Sequence, residues 1–335
     1  MKTEAMLYEP LNDGRVHCYL CAHHCKIADS KLGVCQVRQN AGGKLQTLVY
    51  AEAITVQVDP IEKKPLYHFL PGSRSFSIAT RGCNFQCGFC QNWQLSQADR
   101  ENIGYQSGQY FPPNQIVALA HGSGCDSISY TYTEPTIFFE YAYDISRLAK
   151  SKGVYNVFVT NGFMTKEASD TIAPYLDAAN IDLKSFSDAY YKRVCKARLQ
   201  PVLDSIAHMH QLGIWVEVTT LLIPGKNDSD EELDQIAEFI VGVNQQIPWH
   251  ISRFHPHYKF STHQSTSLKA MQRAREIGWK HGLKYVYLGN VPEGTDTYCP
   301  QCHTLIVRRS HMGVEEMRIL DDRCPKCGTI IAGRW

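Results

Sequence analysis

The stretch RGCNFQCGFCQNWQ (residues 81–94) places Cys83, Cys87 and Cys90 in a C-x3-C-x2-C pattern. It follows the run RSFSIAT (74–80), which predicts a strand that leads into a cysteine loop. Clustered thiolates bind soft metals such as iron and zinc. A closed structural metal site has four protein ligands, whereas this loop supplies three. The stretch therefore predicts a metal centre with an open coordination position, which is what a catalytic metal needs.

The other cysteines of the 335-residue chain also form groups. Eleven of the thirteen fall into three sets, and an odd total cannot pair completely as disulfides. Clustering of this kind indicates metals, because cytosolic thiols stay reduced. Cys125 and Cys195 stand alone, and we expect both to be small buried apolar side chains.

Composition excludes several classes of protein. The formal net charge is +1, which gives no electrostatic reason to expect nucleic acid or a membrane surface as a partner. No run approaches the roughly 18 apolar residues of a membrane span, and the N-terminus carries no apolar signal segment. We therefore expect a cytoplasmic protein.

The middle of the chain alternates short β-rich runs with helical patterns from residue 75 to about residue 290. This order predicts a parallel sheet covered by helices. Six or seven such units predict an α/β fold with a partial (β/α)6 TIM-like barrel and an active site at the C-terminal ends of its strands. We divide the chain into a Cys-rich N-terminal domain (1–74), the barrel (75–290) and a C-terminal four-cysteine domain (291–335).

Polar residues stand where the predicted strands end, in TYTEPT, VTNG, IDLKS and RFHPHY. Asp182 and Lys184 share one face of their strand, because side chains alternate between faces. An acid and a base would then share the barrel interior, and the alternative is a buried structural salt bridge. The other candidates are Glu134, Asn161 and His255, whereas His257 fits a solvated loop equally well.

These motifs together resemble the radical S-adenosylmethionine (AdoMet) superfamily, including the aromatic residue before the last cysteine of the loop. The resemblance implies a [4Fe-4S] cluster on the three cysteines, with AdoMet chelating the fourth iron. Tyr132 and Thr133 replace the two glycines of the family's Gly-Gly-Glu-Pro motif. The implied roles are adenine packing for Phe89, a methionine-amine contact for Glu134, and orientation of AdoMet or substrate for Asn161, Asp182, Lys184 and His255.

Longer stretches, among them SYTYTEPTIFFEYAYD and NIDLKSFSDAYYKRVCKARLQPVLDSI, resemble the activases of glycyl radical enzymes and, more closely, the radical enzyme of the AmmeMemoRadiSam system. That resemblance implies Memo-like and AMMECR-type partner proteins and an electron donor of the flavodoxin or ferredoxin type. Many activases carry a ferredoxin-like insert after the cluster loop. The interval from Gln91 to Thr133 has one cysteine, so the chain lacks that insert.

Two four-cysteine sets flank the barrel. The last 45 residues contain two C-P-x-C knuckles, which predict a zinc ribbon or a rubredoxin-like iron site. The N-terminal set is less regular and suits a structural zinc or an auxiliary [4Fe-4S] cluster, and we favour zinc. His23 and His24 are replacement ligands or exposed residues. The predicted ligands are Cys18, Cys21, Cys25 and Cys35 in the first set, and Cys299, Cys302, Cys324 and Cys327 in the second.

Three hypotheses follow for the function. The first is a radical AdoMet enzyme that removes a hydrogen atom from an unidentified substrate. The second is a glycyl radical enzyme activase that acts on a protein glycine. The third is a zinc-bound scaffold without catalysis, which predicts a colourless protein after anaerobic purification.

Overall fold

The computed structural model describes residues 3–98, 100–101, 108–310 and 313–335. Small antiparallel sheets form the first part of the chain, in the orders β1-β6-β5 and β2-β3-β4, and β7 pairs with β10. The buried ion pair between Arg38 and Glu140 joins this part to the barrel. These strands are β1 (Thr3–Glu4), β2 (Tyr8–Pro10), β3 (Val16–Cys18), β4 (Cys25–Ile27), β5 (Arg38–Ala41), β6 (Lys44–Thr47), β7 (Glu52–Ala53) and β10 (Gln109–Tyr110).

A sheet of eight strands forms the centre, in the order β16-β15-β14-β13-β12-β11-β9-β8. Seven of these strands run parallel, and β8 pairs antiparallel with β9 at one edge. In the described part of the chain, β8 and β16 do not pair, so the barrel is open there. The strands are β8 (Thr55–Pro60), β9 (Arg74–Ala79), β11 (Ser127–Tyr130), β12 (Tyr155–Thr160), β13 (Ala178–Asp182), β14 (Trp215–Leu222), β15 (Trp249–Arg253) and β16 (Val286–Gly289).

Helices follow the strands as the sequence pattern predicts. Thr165 and Ser229 accept hydrogen bonds from backbone N–H groups of the helices that they precede, and so act as N-caps. None of the described helices is long and apolar enough to span a membrane. The helices are α1 (Trp93–Ser96), α2 (Pro113–Gly122), α3 (Phe139–Lys150), α4 (Lys166–Ile172), α5 (Asp188–Tyr190), α6 (Gln200–Gln211), α7 (Asp230–Asn244) and α8 (Leu268–Lys280).

The fold class is as predicted, and the seven parallel strands agree with the six or seven predicted units, but the sheet has an eighth strand. The parallel strand β16 continues the sheet beyond β15, and β8 adds an antiparallel strand from residues that we assigned to the N-terminal domain. Pattern alone did not separate β8 from the strands before it, because antiparallel pairing depends on contacts distant in sequence. The domain boundary near residue 74 remains a prediction, and part of the barrel sheet lies before it.

Residues 61–70, which we call the floor segment, lie between β8 and β9 in the sequence. They pack against the barrel strands. The buried carboxylate of Glu217 on β14 accepts hydrogen bonds from the backbone N–H groups of Tyr67, at 3.0 Å, and His68, at 2.8 Å. The side chains of Leu66 and Phe69 join a small apolar cluster with barrel residues. Polar and apolar contacts together therefore fix this segment.

The C-terminal part forms an antiparallel sheet of β17 (Thr297–Tyr298), β18 (Leu305–Ser310) and β19 (Gly313–Met317). His68 of the floor segment is fully buried and connects this part to the barrel. Its Nδ1 lies 2.6 Å from the carbonyl oxygen of Ala332, and its Nε2 lies 2.6 Å from the hydroxyl of Tyr287. Burial lowers the pKa of His68 to about 4.

This connection predicts a loss of stability in acid. A histidine with a pKa of about 4 in the folded state and 6.5 when unfolded binds protons more readily in the unfolded chain. Unfolding is therefore favoured as the pH falls through that interval, by about 3 kcal/mol in total. His68→Gln has no imidazole to titrate, so it should lose less stability than wild type as the pH falls. The difference in free energy of unfolding between wild type and His68→Gln should therefore become smaller from pH 7 to pH 4. Urea titrations at several pH values measure it.

His121→Gln is the matched control, because His121 is exposed on α2. We expect its free energy of unfolding to follow wild type at every pH. A constant difference between His68→Gln and wild type across this range would contradict the predicted role of His68.

Candidate functional site

A cavity of about 500 Å³ lies at the C-terminal ends of the strands, and we call it the first cavity. Cys83, Cys87 and Cys90 all contribute to its wall. The first two thiols are buried and the third is half-buried. Burial raises the pKa of Cys83 and of Cys90, so a bound metal would have to favour their thiolate forms. The predicted residues Phe89, Asn161, Asp182 and Lys184 line the same cavity.

The cysteine loop is held against the N-terminal part of the chain. Gly82 has a φ of +91°, and an added Cβ would lie 2.7 Å from a methyl carbon of Val37 and 3.0 Å from the carbonyl oxygen of Cys35. Only glycine fits both the backbone conformation and this close approach. On the other side of Cys83, His23 donates a 2.8 Å hydrogen bond to the carbonyl oxygen of Asn84. The N-terminal cysteine region therefore positions the loop directly.

Asp182 and Lys184 form the ion pair that strand alternation predicts, with 2.7 Å between Oδ2 and Nζ. Burial lowers the pKa of Lys184, but Asp182 and the nearby thiols outweigh it, so that the pKa lies well above its usual value. The lysine is therefore a permanent cation in the cavity wall. Its Nζ also lies 5.8 Å from the ring centre of Phe89.

Glu134 is placed differently from the prediction, because it lies behind the cavity wall. Its Oε1 accepts hydrogen bonds from the backbone N–H and hydroxyl of Thr136 and from the hydroxyl of Thr160, and Oε2 accepts one from the Asn161 N–H at 2.8 Å. Burial raises the pKa of Glu134 in spite of these bonds. In this arrangement Glu134 ties the ends of two strands together. Contact with a methionine amine remains a prediction.

Tyr132, which stands in a glycine position of the family motif, keeps the backbone conformation that favours glycine, with a φ of +64°. Its hydroxyl donates to Asp59, which also binds Lys63 and Lys64 at 2.7 Å. The Nζ of Lys64 lies 4.6 Å from the centre of the Tyr132 ring. This backbone conformation costs a residue other than glycine about 1–3 kcal/mol. The hydrogen bonds of its hydroxyl help to hold Tyr132 in it.

His255 lies apart from the other predicted site residues in this structure. It is exposed and contributes to neither cavity that adjoins the strand ends, because the chain turns outward after β15. The side chain from this strand that does reach the first cavity is Ser252. His257 is also exposed, which agrees with a loop residue. Contact of His255 with a cofactor or substrate remains a prediction.

The sequence left other wall residues unidentified. Cys195 does not line the cavity, but it is buried as expected and lies beside Cys87, and its hydrogen bond raises the pKa of that thiol together with burial. Asn84, inside the cysteine loop, accepts a 2.7 Å hydrogen bond from Asn161. Lys63 and Lys64 enter from the floor segment. Thr219 and Ser252 also line the cavity. The alternation of side chains along β14 and β15 is the one sequence signal that could have identified them.

The C-terminal set is built like a single-ion site. Its four sulfur atoms lie within 4.8 Å of one another. Two pairs, Cys299 with Cys327 and Cys302 with Cys324, have Sγ–Sγ distances of 3.6 Å. A tetrahedral ion with metal–sulfur bonds of about 2.3 Å requires about 3.8 Å between ligands. Hydrogen bonds from Thr304 lower the pKa of Cys302 to about 6, which favours the thiolate that a metal binds.

The N-terminal set has a different arrangement. Cys18 and Cys25 face each other on β3 and β4, and Arg38 donates a 3.2 Å hydrogen bond to the sulfur of Cys18. Among the described residues, only the C-terminal cysteines gather as tightly as a single ion requires. Cys18, Cys21, Cys25 and Cys35 do not gather in this way, and the metal that they bind remains a prediction.

Removing a C-terminal thiol should remove one metal ion. Cys299→Ala leaves three ligands, and we expect the metal content to fall by about one ion per chain, because a structural site needs all four. Elemental analysis of anaerobically purified protein measures zinc and iron separately. Cys125→Ala, which removes a buried cysteine outside the three sets, should keep the full content. Equal metal content in the two variants would contradict a site at these residues.

Comparison with known proteins agrees with this geometry. A model of the radical SAM superfamily matches residues 77–240. A Methanocaldococcus jannaschii protein, named only as uncharacterised, is 42% identical over 330 residues, which are 97% of each chain. The chain belongs to the radical SAM superfamily. A pyruvate formate-lyase-activating enzyme of Streptococcus mutans is 21% identical over 194 residues, which are 55% of this chain and 72% of that one.

Solved radical SAM structures show the same fold. A radical SAM methyltransferase from Sphaerobacter thermophilus superposes with a TM-score of 0.51 at 16% identity, over 66% of this chain and 67% of that chain. A likeness at this identity shows the fold alone. The superfamily membership makes the chain an enzyme and implies a [4Fe-4S] cluster and AdoMet, which the three thiols of the first cavity fit.

Glu134→Gln tests whether the hydrogen bonds of Glu134 hold the ends of β11 and β12 together. An amide has one acceptor oxygen, so at least one of the donors around Glu134 loses its partner, at a cost of about 1–3 kcal/mol in stability. We expect a lower free energy of unfolding and weaker AdoMet binding, measured by urea titration and equilibrium dialysis. Glu238→Gln, on the exposed face of α7, is the control. Unchanged stability would contradict the structural part of this role.

Proposed function

We propose that the chain binds a [4Fe-4S] cluster through Cys83, Cys87 and Cys90 and holds AdoMet in the first cavity. When bound, the pair supplies reductive cleavage of AdoMet to methionine and a 5′-deoxyadenosyl radical, which takes a hydrogen atom from the substrate. One observation carries the proposal. The wall of the first cavity, within the described residues, contains three cysteines and no fourth.

The polar residues of the same wall have separate roles in this proposal. The Lys184 ammonium attracts a carboxylate, and its bond to Asp182 fixes its position. Asp182, 35% exposed at its side chain, can also accept a hydrogen bond from a ribose hydroxyl or an ammonium group. Phe89 offers a buried ring for contact with adenine, and Asn161, which binds Asn84, orients the cysteine loop.

The flanking cysteine sets support this site in different ways. The C-terminal set would bind zinc, or iron in its place, and would be structural, because protein ligands occupy all four positions. The N-terminal set would bind an auxiliary Fe-S cluster. Cys35 belongs to this set, and its carbonyl oxygen approaches Gly82 of the cysteine loop. A cluster there would lie on a short electron path to the loop.

The proposal also includes protein partners and a location in the cell. An electron donor of the flavodoxin or ferredoxin type would supply the reducing equivalent. Memo-like and AMMECR-type proteins would be associated with the enzyme, as the resemblance to the AmmeMemoRadiSam system implies. Thirteen cysteines, arranged mostly as metal-binding sets, suit a reducing cytoplasm.

A glycyl radical enzyme activase is the second candidate. The Streptococcus mutans relative, which is named as a pyruvate formate-lyase-activating enzyme, favours it. The missing ferredoxin-like insert weighs against a simple transfer of that activity. A glycyl radical on a purified partner protein, detected by electron paramagnetic resonance, would establish this alternative.

Replacing the three loop cysteines with alanine tests the cluster assignment. The triple variant should lose the [4Fe-4S] cluster, because it removes all three cysteines of the described cavity wall and the neighbouring Cys195 could supply only one ligand. 5′-Deoxyadenosine formation from AdoMet and dithionite should fall to background, measured anaerobically by liquid chromatography and mass spectrometry. A variant that still cleaves AdoMet would reject the proposed function.

Cys299→Ala is the matched control for this experiment, because it removes a thiol from a different set. We expect it to keep the broad visible absorption of the cluster, bleached by dithionite. A colourless wild-type protein with zinc in all three sets would instead support a scaffold without catalysis.

A further inference from the structure

A smaller space of about 270 Å³, which we call the side chamber, adjoins the first cavity. The two spaces share four wall residues. None of the residues predicted to contact AdoMet or the cluster lines the side chamber. The first cavity therefore continues into a space that the cofactors leave free. The shared residues are Lys63, Thr219, Ser252 and Asn290.

His250 supplies a built polar contact in the side-chamber wall, where it is only 2% exposed. Its Nε2 lies 2.6 Å from Oε2 of Glu217. The ring of Tyr287 stacks on the imidazole, with 5.3 Å between the ring centres. The hydrogen bond to Glu217 uses Nε2 and leaves Nδ1 outside it. The carboxylate fixes the orientation of the ring. One ring nitrogen therefore remains for a ligand group, and a hydroxyl can donate to it or accept from it.

The charges of the side chamber favour an anion. Its wall contains two cations, Lys63 and Arg309, and one carboxylate, Glu62. Arg309 is buried, and its Nε lies 3.9 Å from Oε1 of Glu62, which is too long for a hydrogen bond. Lys63 also binds Asp59, which lies outside this wall, at 2.7 Å, but an ammonium group has three donors. Nε of Arg309 is buried without a hydrogen-bond partner among the described residues. Donors of both cations therefore remain for an anionic group.

The size and walls of the side chamber favour a small molecule over a protein segment. Its volume of about 270 Å³ lies near the lower end of the range for ligand pockets, about 300–1,000 Å³. The floor segment bounds it on one side, and Arg309 and Ser310 of β18 bound it on another. A polypeptide loop would have to displace these walls, whereas a molecule of roughly ten heavy atoms would not.

We propose that the side chamber binds the substrate and that this substrate is a small organic anion with a hydroxyl group. Lys63 and Arg309 attract the anionic group, and Nδ1 of His250 binds the hydroxyl. This inference rests on the proposed function, because a radical formed in the first cavity would have to reach the adjoining chamber. It adds the chemical class of the substrate and the residues that select it.

Binding of fluorinated probes tests the inference directly. The anaerobic, cluster-loaded enzyme with AdoMet is titrated with 4,4,4-trifluoro-3-hydroxybutanoate, and binding is followed by ¹⁹F NMR. The matched probes are its neutral amide and 4,4,4-trifluorobutanoate, which lacks the hydroxyl. We expect the hydroxy acid to bind at least about tenfold more tightly than either, because each comparison removes one charge-assisted or hydrogen-bonded contact.

Lys63→Gln should weaken hydroxy-acid binding about tenfold and leave amide binding unchanged. Lys192→Gln is the matched control, because Lys63 and Lys192 each pair at 2.7 Å with an aspartate four residues earlier, and Lys192 lies outside both spaces. His250→Gln should remove the preference for the hydroxy acid over trifluorobutanoate. These effects compare two probes in one variant, so they do not depend on equal stability of the variants.

The outcomes separate this inference from the proposed function. Equal binding of acid and amide, or no binding of any probe, would overturn the inference and leave the chamber to a different ligand. The same samples are assayed for 5′-deoxyadenosine. Wild-type enzyme that forms none would overturn the proposed function, whereas a hydroxy-acid preference that disappears in Lys63→Gln would still support the binding site.

Discussion

The buried carboxylate of Glu217 is the interaction on which the rest of the arrangement depends. It accepts hydrogen bonds from two backbone N–H groups of the floor segment, from the Trp215 indole and from His250. Burial alone would raise the pKa of Glu217, but the hydrogen bond and charge of His250 outweigh it and lower the pKa. A carboxylate without these partners would be costly inside the barrel. The same bonds that satisfy Glu217 fix the floor segment, which in turn positions Lys63, Lys64 and His68.

The alternation of strands and helices was predictable from the sequence, because each parallel strand is an apolar run and each helix has its own start. Ser229, for example, caps α7 and is followed by an acidic first turn. The cysteine loop and the Asp182–Lys184 pair were also predictable, since spacing and strand alternation are local properties. Local pattern therefore accounts for the seven parallel strands and for the three cysteines and the Asp182–Lys184 pair of the first-cavity wall.

The remaining features depend on contacts that no local pattern encodes. His255 follows the strand motif but is exposed, because the direction of the chain after β15 depends on how the following loop packs. Glu134 has the expected sequence position, yet its oxygens bind Thr136, Thr160 and Asn161. Lys63 and Lys64 lie in the N-terminal region of the sequence and reach the barrel only because β8 joins the sheet. Such pairings over long sequence distances have no periodic signature.

The C-terminal metal site and the side chamber are physically coupled. Four cysteine ligands fold this part of the chain when they bind an ion, since binding energy at a structural site is folding energy. Its strand β18 carries Arg309, whose guanidinium binds the carbonyl oxygens of Thr295 and Tyr67 and packs 4.4 Å from the Tyr67 ring centre. A metal bound to these cysteines would thereby help to hold a cation in the wall of the side chamber. The four-cysteine site would thus contribute to the wall of the side chamber, although a structural ion with four protein ligands has no position open for catalysis.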